Sequence, residues 1–151
     1  MTRYRHRQFG RTLVYILGGG AAVSAAVALL FPLETSVAWV IAVISAASAA
    51  LFSSLCIEIT RTHLRWFFGP GIFRKQVLLS DISDAEATRT KFLEGWGIHL
   101  TRRGWLFNVS GLTAVAVKLK SGKQFLLGSD DADRLAGILR ETARSADPND
   151  R

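Results

Sequence analysis

Few side chains in this sequence carry the chemistry of a reactive site, and their spacing limits what each can do. His6, His63 and His99 stand far apart, at none of the intervals from one another or from carboxylates that a metal site needs. Asp130, Asp131 and Asp133 form a compact acidic group, but they sit where a helix begins, and a helix dipole favours anions there. Ser110 has no nearby histidine in a nucleophile motif. Gly95-Trp96-Gly97 lacks the third glycine and the following helix of a dinucleotide fingerprint. The one cysteine, Cys56, excludes an internal disulfide and a cysteine-only zinc site. No general acid, base and nucleophile come together, so no catalytic residue, metal ligand or cofactor is assigned, and the chain reads as non-enzymatic.

The sharper lead is basic and aromatic. Arg102 and Arg103 form a turn just before Trp105, and Arg61 and Arg65 follow a long apolar segment. Arginines near an anionic leaflet contribute about 1 kcal/mol each, and tryptophan suits the interface because its ring is apolar and its N–H polar. Arg61, Arg65, Arg102, Arg103 and Trp105 are therefore the candidate membrane-surface contacts. A solvated turn for the arginines and core packing for Trp96 and Trp105 stay open as alternatives.

These residues must be held by something, and the composition shows what. Between Thr12 and Ile57 the only charged side chain is Glu34. Two apolar segments, Thr12 to Leu33 and Thr35 to Ile57, each reach the roughly 20 residues a bilayer core requires. Pro32-Leu33-Glu34-Thr35 breaks them at a tight turn. The expected architecture is a basic N-terminus over 1–11 and a transmembrane hairpin over 12–57, with Cys56 at the end of its second helix. A cleaved signal peptide fits less well, because the first apolar run is long and a second follows at once. Small residues, Gly18, Gly19, Gly20 and Ala22 in one span and Ala38, Ala42, Ala46 and Ala49 in the other, suit close packing within the hairpin or a homo-oligomer face.

Net charge is +7, and the basic residues flank the apolar segments. Arg3, Arg5, Arg7 and Arg11 precede the first, Arg61, Arg65, Arg74 and Lys75 follow the second, and the connecting turn has none. By the positive-inside rule both termini are expected on the cytoplasmic side of the membrane. A membrane accounts for the charge without nucleic acid, for which no recognition helix or stacking motif is present. On the cytoplasmic side Asn108-Val109-Ser110 meets no glycosylation machinery and reads as a turn.

From Glu58 the pattern changes to period two and turns. Thr113 to Leu119 is the clearest strand, paired through the turn Ser121-Gly122-Lys123 with Gln124 to Gly128. A helix capped by Ser129 or Asp130 closes the domain on Leu135, Ile138 and Leu139. Domain 58–143 is then a curved antiparallel sheet or partly open barrel capped by one C-terminal helix, with a disordered tail over 144–151.

At Trp96-Gly97-Ile98, Asn108 to Gly111, Ala114 to Gly122 and Leu127 to Asp131 the sequence resembles the bacterial PH-like domain of small two-span membrane proteins. His99 stands where that pattern has arginine and Ala132 where it has proline. The resemblance covers roughly residues 57–142 and implies an α+β PH-like domain behind a transmembrane helical hairpin, with no set activity. The function expected first is a protein-interaction module at the membrane surface, acting through an edge strand or groove on a protein partner. The alternative is an anionic-lipid headgroup binding module. A membrane enzyme or transporter accessory subunit is the least favoured.

Overall fold

Arg3, Arg5 and Arg7 alternate with Tyr4, His6 and Gln8, a period-two pattern that a strand turns into two faces. In the computed structural model, which describes residues 3–31, 35–90 and 97–146, this segment is strand β1, Tyr4–Phe9. The segment expected as a basic N-terminus over 1–11 thus contributes a strand to the sheet. Gly10 ends β1, and helix α1, Arg11–Leu30, follows at once. Helix α2, Thr35–Leu51, returns alongside α1.

The second apolar segment divides between two structures. α2 stops at Leu51, and Ser54–Ile59 forms strand β2, so Cys56 lies in a sheet and not in a helix. Ser54 to Ile57 are buried. A central strand buried on both faces reads as one continuous apolar run, which joined the helix before it into a single apparent span. Antiparallel pairing of β1 with β2 runs from Tyr4↔Ile59 to Phe9↔Ser54, so both ends of the helical pair enter one sheet side by side.

That sheet continues with β3, His63–Phe68, and β4, Arg74–Leu78, in the order β1-β2-β3-β4. A second sheet is built from β5, Ile82–Arg89, β6, Gly97–Thr101, β7, Gly104–Asn108, β8, Thr113–Leu119, and β9, Gln124–Gly128. Its order is β5-β8-β9-β7-β6, and all its pairs are antiparallel except β7 with β9. The expected β8–β9 hairpin is present, with Gly122 at φ +80° in its turn. One parallel pair was not expected: β8 is inserted between β5 and β9, so β7 meets β9 on its far side, running the same way.

The inner faces of the two sheets meet. Leu55, Ile57, Leu64, Trp66 and Phe68 pack with Phe107, Val115, Val117, Phe125 and Leu127. Helix α3, Ala132–Ala146, closes this core with Leu135 and Leu139, both fully buried. It runs on to Ala146, past the expected boundary at 143, and residues 147–151 lie outside the described residues.

α1 and α2 are apolar on every side and largely exposed; Tyr15, Leu29, Leu30 and Val37 stand out in full. Ala28 and Ala42 are their buried apolar residues among those described. A Cβ added at Gly18, Gly19 or Gly20 meets nothing within 4 Å, so these three glycines play no part in packing the pair. α1 is long and apolar enough to cross a membrane by length and composition; α2, at 17 residues, is a shorter apolar helix.

Candidate functional site

The side of the first sheet that faces away from the core is unusually basic. Pairing registers place Arg7, Cys56, Phe67 and Arg74 in one cross-strand row and Arg5, Glu58, Arg65 and Gln76 in the next. Four guanidinium groups therefore share a face with a single carboxylate. Arg5 Nε lies 3.1 Å from Glu58 Oε1, Arg7 Nε donates to Ser54 Oγ at 3.1 Å, and the Arg7 guanidinium lies 4.9 Å from the Phe9 ring centroid. At about 3.3 Å of rise per residue, Arg7 stands roughly 13 Å along β1 from the start of α1.

The end of this face is bolted to the helices. Gly69 opens the β3–β4 turn with φ +45°, and a Cβ there would lie 2.5 Å from Leu51 O and 2.7 Å from Ala50 O, the last carbonyls of α2. Only glycine permits that approach. Gly69 N–H donates to Ser54 O at 2.8 Å, and Phe52, just after α2, stacks on Phe73 at 5.9 Å and meets Phe68 edge-on at 5.4 Å. Ile72 and Phe73 at the tip of this turn are exposed.

Beside the turn the two sheets separate into a groove of about 290 Å³. Trp66, Phe68 and Phe107 form its floor, Phe73 and Ile72 one lip, Trp105 and Ile98 the other, with Arg74 and Lys75 at the mouth. Trp105 pairs across β6–β7 with Leu100, and both are at least half exposed. Trp66 is 4% exposed and stacks on Phe125 at 4.8 Å; its indole N–H has no hydrogen-bond partner among the described residues. Arg74 and Lys75 also border a shallow depression on the outer face together with Arg65 and Glu58, so groove and basic face are one continuous surface.

The five residues singled out in the sequence fall at separate places. Arg65 belongs to the basic face and Trp105 to the groove. Arg61 is exposed in the β2–β3 turn, at the end of the hairpin remote from the helices. Arg102 is exposed in the β6–β7 turn, whereas Arg103 beside it is structural: it donates through Nη1 to Thr88 Oγ1 and through Nη2 to Arg89 O, both at 3.0 Å. Those acceptors are on β5, the opposite edge of the same sheet. Four strand intervals of about 4.8 Å separate the edges of a flat sheet, more than one side chain spans, so this bond records how strongly the sheet curls. Arg5, Arg7, Arg74, Lys75 and Trp66 complete the site. The alternation of arginines over residues 3–7 was the available signal for the first two; nothing local marks the others.

The remaining motifs are structural. Asn108 Nδ2 donates to Gly111 O at 3.1 Å, Ser110 N–H returns to Asn108 Oδ1 at 3.2 Å, and Gln8 Nε2 donates to Ser110 O at 2.9 Å, so this loop clasps β1. Asn108 is buried, and a side chain at Gly128 would collide with its Oδ1. Asp130 Oδ1 lies 2.5 Å from His6 Nε2, and Asp131 N–H donates to Ser129 Oγ at 3.1 Å in a local turn; the first backbone bond of α3 runs from Leu135 N–H to Asp131 O at 3.0 Å, so Asp131 takes the cap position expected of Ser129 or Asp130. Burial, then the charge of Asp131, pushes the Tyr4 hydroxyl up to about 12. The histidines stand in β1, β3 and β6, and the described residues hold no group of three metal-ligating side chains. Trp96 and Gly95 lie outside the described residues. No family model matches this chain, and no curated protein matches it.

Proposed function

We propose that this protein is a membrane-anchored, non-enzymatic module whose PH-like domain rests its basic face on the anionic headgroups of the cytoplasmic leaflet. The observation that carries this reading is the gathering of Arg5, Arg7, Arg65 and Arg74 on one sheet face, with Glu58 alone against them, beginning four residues from the start of α1. Two rows lie within roughly 13–20 Å of that helix along the strand, about one to two Debye lengths at 0.1 M salt. The pairing of β1 with β2 supports a hairpin that crosses twice: the two helices leave and re-enter one sheet, so both cross or neither does. α2 spans about 26 Å at 1.5 Å per residue, close to the roughly 30 Å of a hydrocarbon core. Apolar side chains exposed on all sides of α1 and α2 fit lipid and would be costly in water.

The test places a fluorophore at Gln76 through a Gln76→Cys substitution, the native Cys56 being buried. The full chain is reconstituted in phosphatidylcholine nanodiscs with and without phosphatidylglycerol carrying a headgroup quencher. Quenching that needs the anionic lipid, fades with salt and falls in Arg65→Gln/Arg74→Gln is the expected result. Equal quenching in both lipids, insensitive to salt, refutes it. The protein-interaction reading keeps one specific support: β4 is an edge strand whose side chains are mostly exposed, which suits strand addition by a partner.

A further inference from the structure

We propose that the groove between the two sheets is a binding site for one anionic phospholipid drawn sideways from the leaflet; this rests on the membrane-surface reading above. Two features of the groove select that occupant. Its floor is aromatic and its lips are exposed apolar side chains, which suits an acyl chain near its ester end. Its mouth carries Arg74 and Lys75, and among the described residues no carboxylate is paired with either.

The volume and the position agree with a lipid held in part. About 290 Å³ lies at the lower end of small-molecule pockets, near 300 Å³, so the groove takes the headgroup-proximal stretch of one chain and leaves the rest in the bilayer. One lip is the turn that Gly69 and Phe73 fasten to the end of α2. A chain entering past Ile72 and Phe73 therefore starts at the depth where α2 ends. Water-soluble anions would meet the same arginine and lysine but gain nothing from the aromatic floor.

Native mass spectrometry of the detergent-solubilised full chain, titrated with phosphatidylglycerol, tests this. One saturable adduct is expected, absent with phosphatidylcholine and not displaced by inorganic phosphate. Lys75→Gln, at an exposed side chain, should weaken it about fivefold. Trp105→Ala, which removes an exposed apolar lip of the groove, should weaken it about fivefold. Arg134→Gln, exposed on α3 and outside both the groove and the basic face, should leave it unchanged. Unsaturated stepwise adducts, equal binding of both lipids, displacement by phosphate, or indifference to Lys75→Gln and Trp105→Ala each overturn the proposal. The Gln76 fluorophore reads surface docking separately: docking without a saturable adduct rejects the groove site alone, and an adduct without docking rejects the membrane-surface reading alone.

Discussion

The helices interrupt the domain and do not precede it, so its two natural-looking soluble versions should behave in opposite ways. A chain beginning at Glu58 follows the change in composition but loses β1 and most of β2. It forfeits Leu55 and Ile57, at 0% and 1% exposure, worth about 1.5–3 kcal/mol each, or about 3–6 kcal/mol together. It also strips the edge of β3 and uncovers Phe68 and Trp66. A domain of this size has about 5–15 kcal/mol in all, so this fragment should not fold cooperatively. Replacing residues 11–52 by Asn-Gly keeps every strand. Gly10 N–H donates to Ser53 O at 2.9 Å, the hydrogen-bonded pair that closes a two-residue hairpin turn. The cost is the half-buried Phe52, about 1 kcal/mol. Amide-resolved NMR and thermal melting followed by circular dichroism distinguish the two. A dispersed spectrum and a sharp melt are expected for the spliced chain alone. A folded Glu58 fragment would refute both the register of β1 on β2 and the dependence of the core on the first sheet.

Four further outcomes are expected. Gly69→Ala should destabilise the full chain by about 2–5 kcal/mol, from the left-handed backbone and the overlap with the α2 carbonyls, whereas Gly122→Ala, with open space around it, should cost about 1–2 kcal/mol; thermal shift in detergent reads both. Arg103→Gln should lower stability by about 1–3 kcal/mol through its lost bonds to Thr88 and Arg89, and Arg102→Gln should change it little. Gly128→Ala should be severely destabilising because its Cβ meets Asn108, and pairing it with Asn108→Ala should recover part of the loss in the same melt. The Tyr4 hydroxyl is held protonated in the folded chain up to about pH 12, against 10.0 for the ordinary group. The unfolded chain then loses this proton first, so stability is full below pH 10 and declines as pH rises toward 12. Denaturant midpoints across that range should show a slope that Tyr4→Phe reduces.

The sequence by itself determined the elements that depend on local order. Hydropathy marked α1 and the start of α2, because an exposed apolar helix has no polar face to confuse it. Alternation and turn chemistry marked β8, β9 and the turn at Gly122, and apolar spacing behind an acidic start marked α3. Tertiary structure decided the rest, for two physical reasons. A central strand covered on both faces has the composition of a helix in lipid, so Ser54 to Ile57 were indistinguishable from the end of α2 until β1 and β3 flanked them. Pairing across long loops has no local signature either: nothing near Arg5 or Arg7 says that they lie beside Arg65 and Arg74, and nothing near Arg103 says that its guanidinium reaches β5. The basic face and the aromatic groove are products of register and sheet curvature, and only the assembled fold brings their residues together.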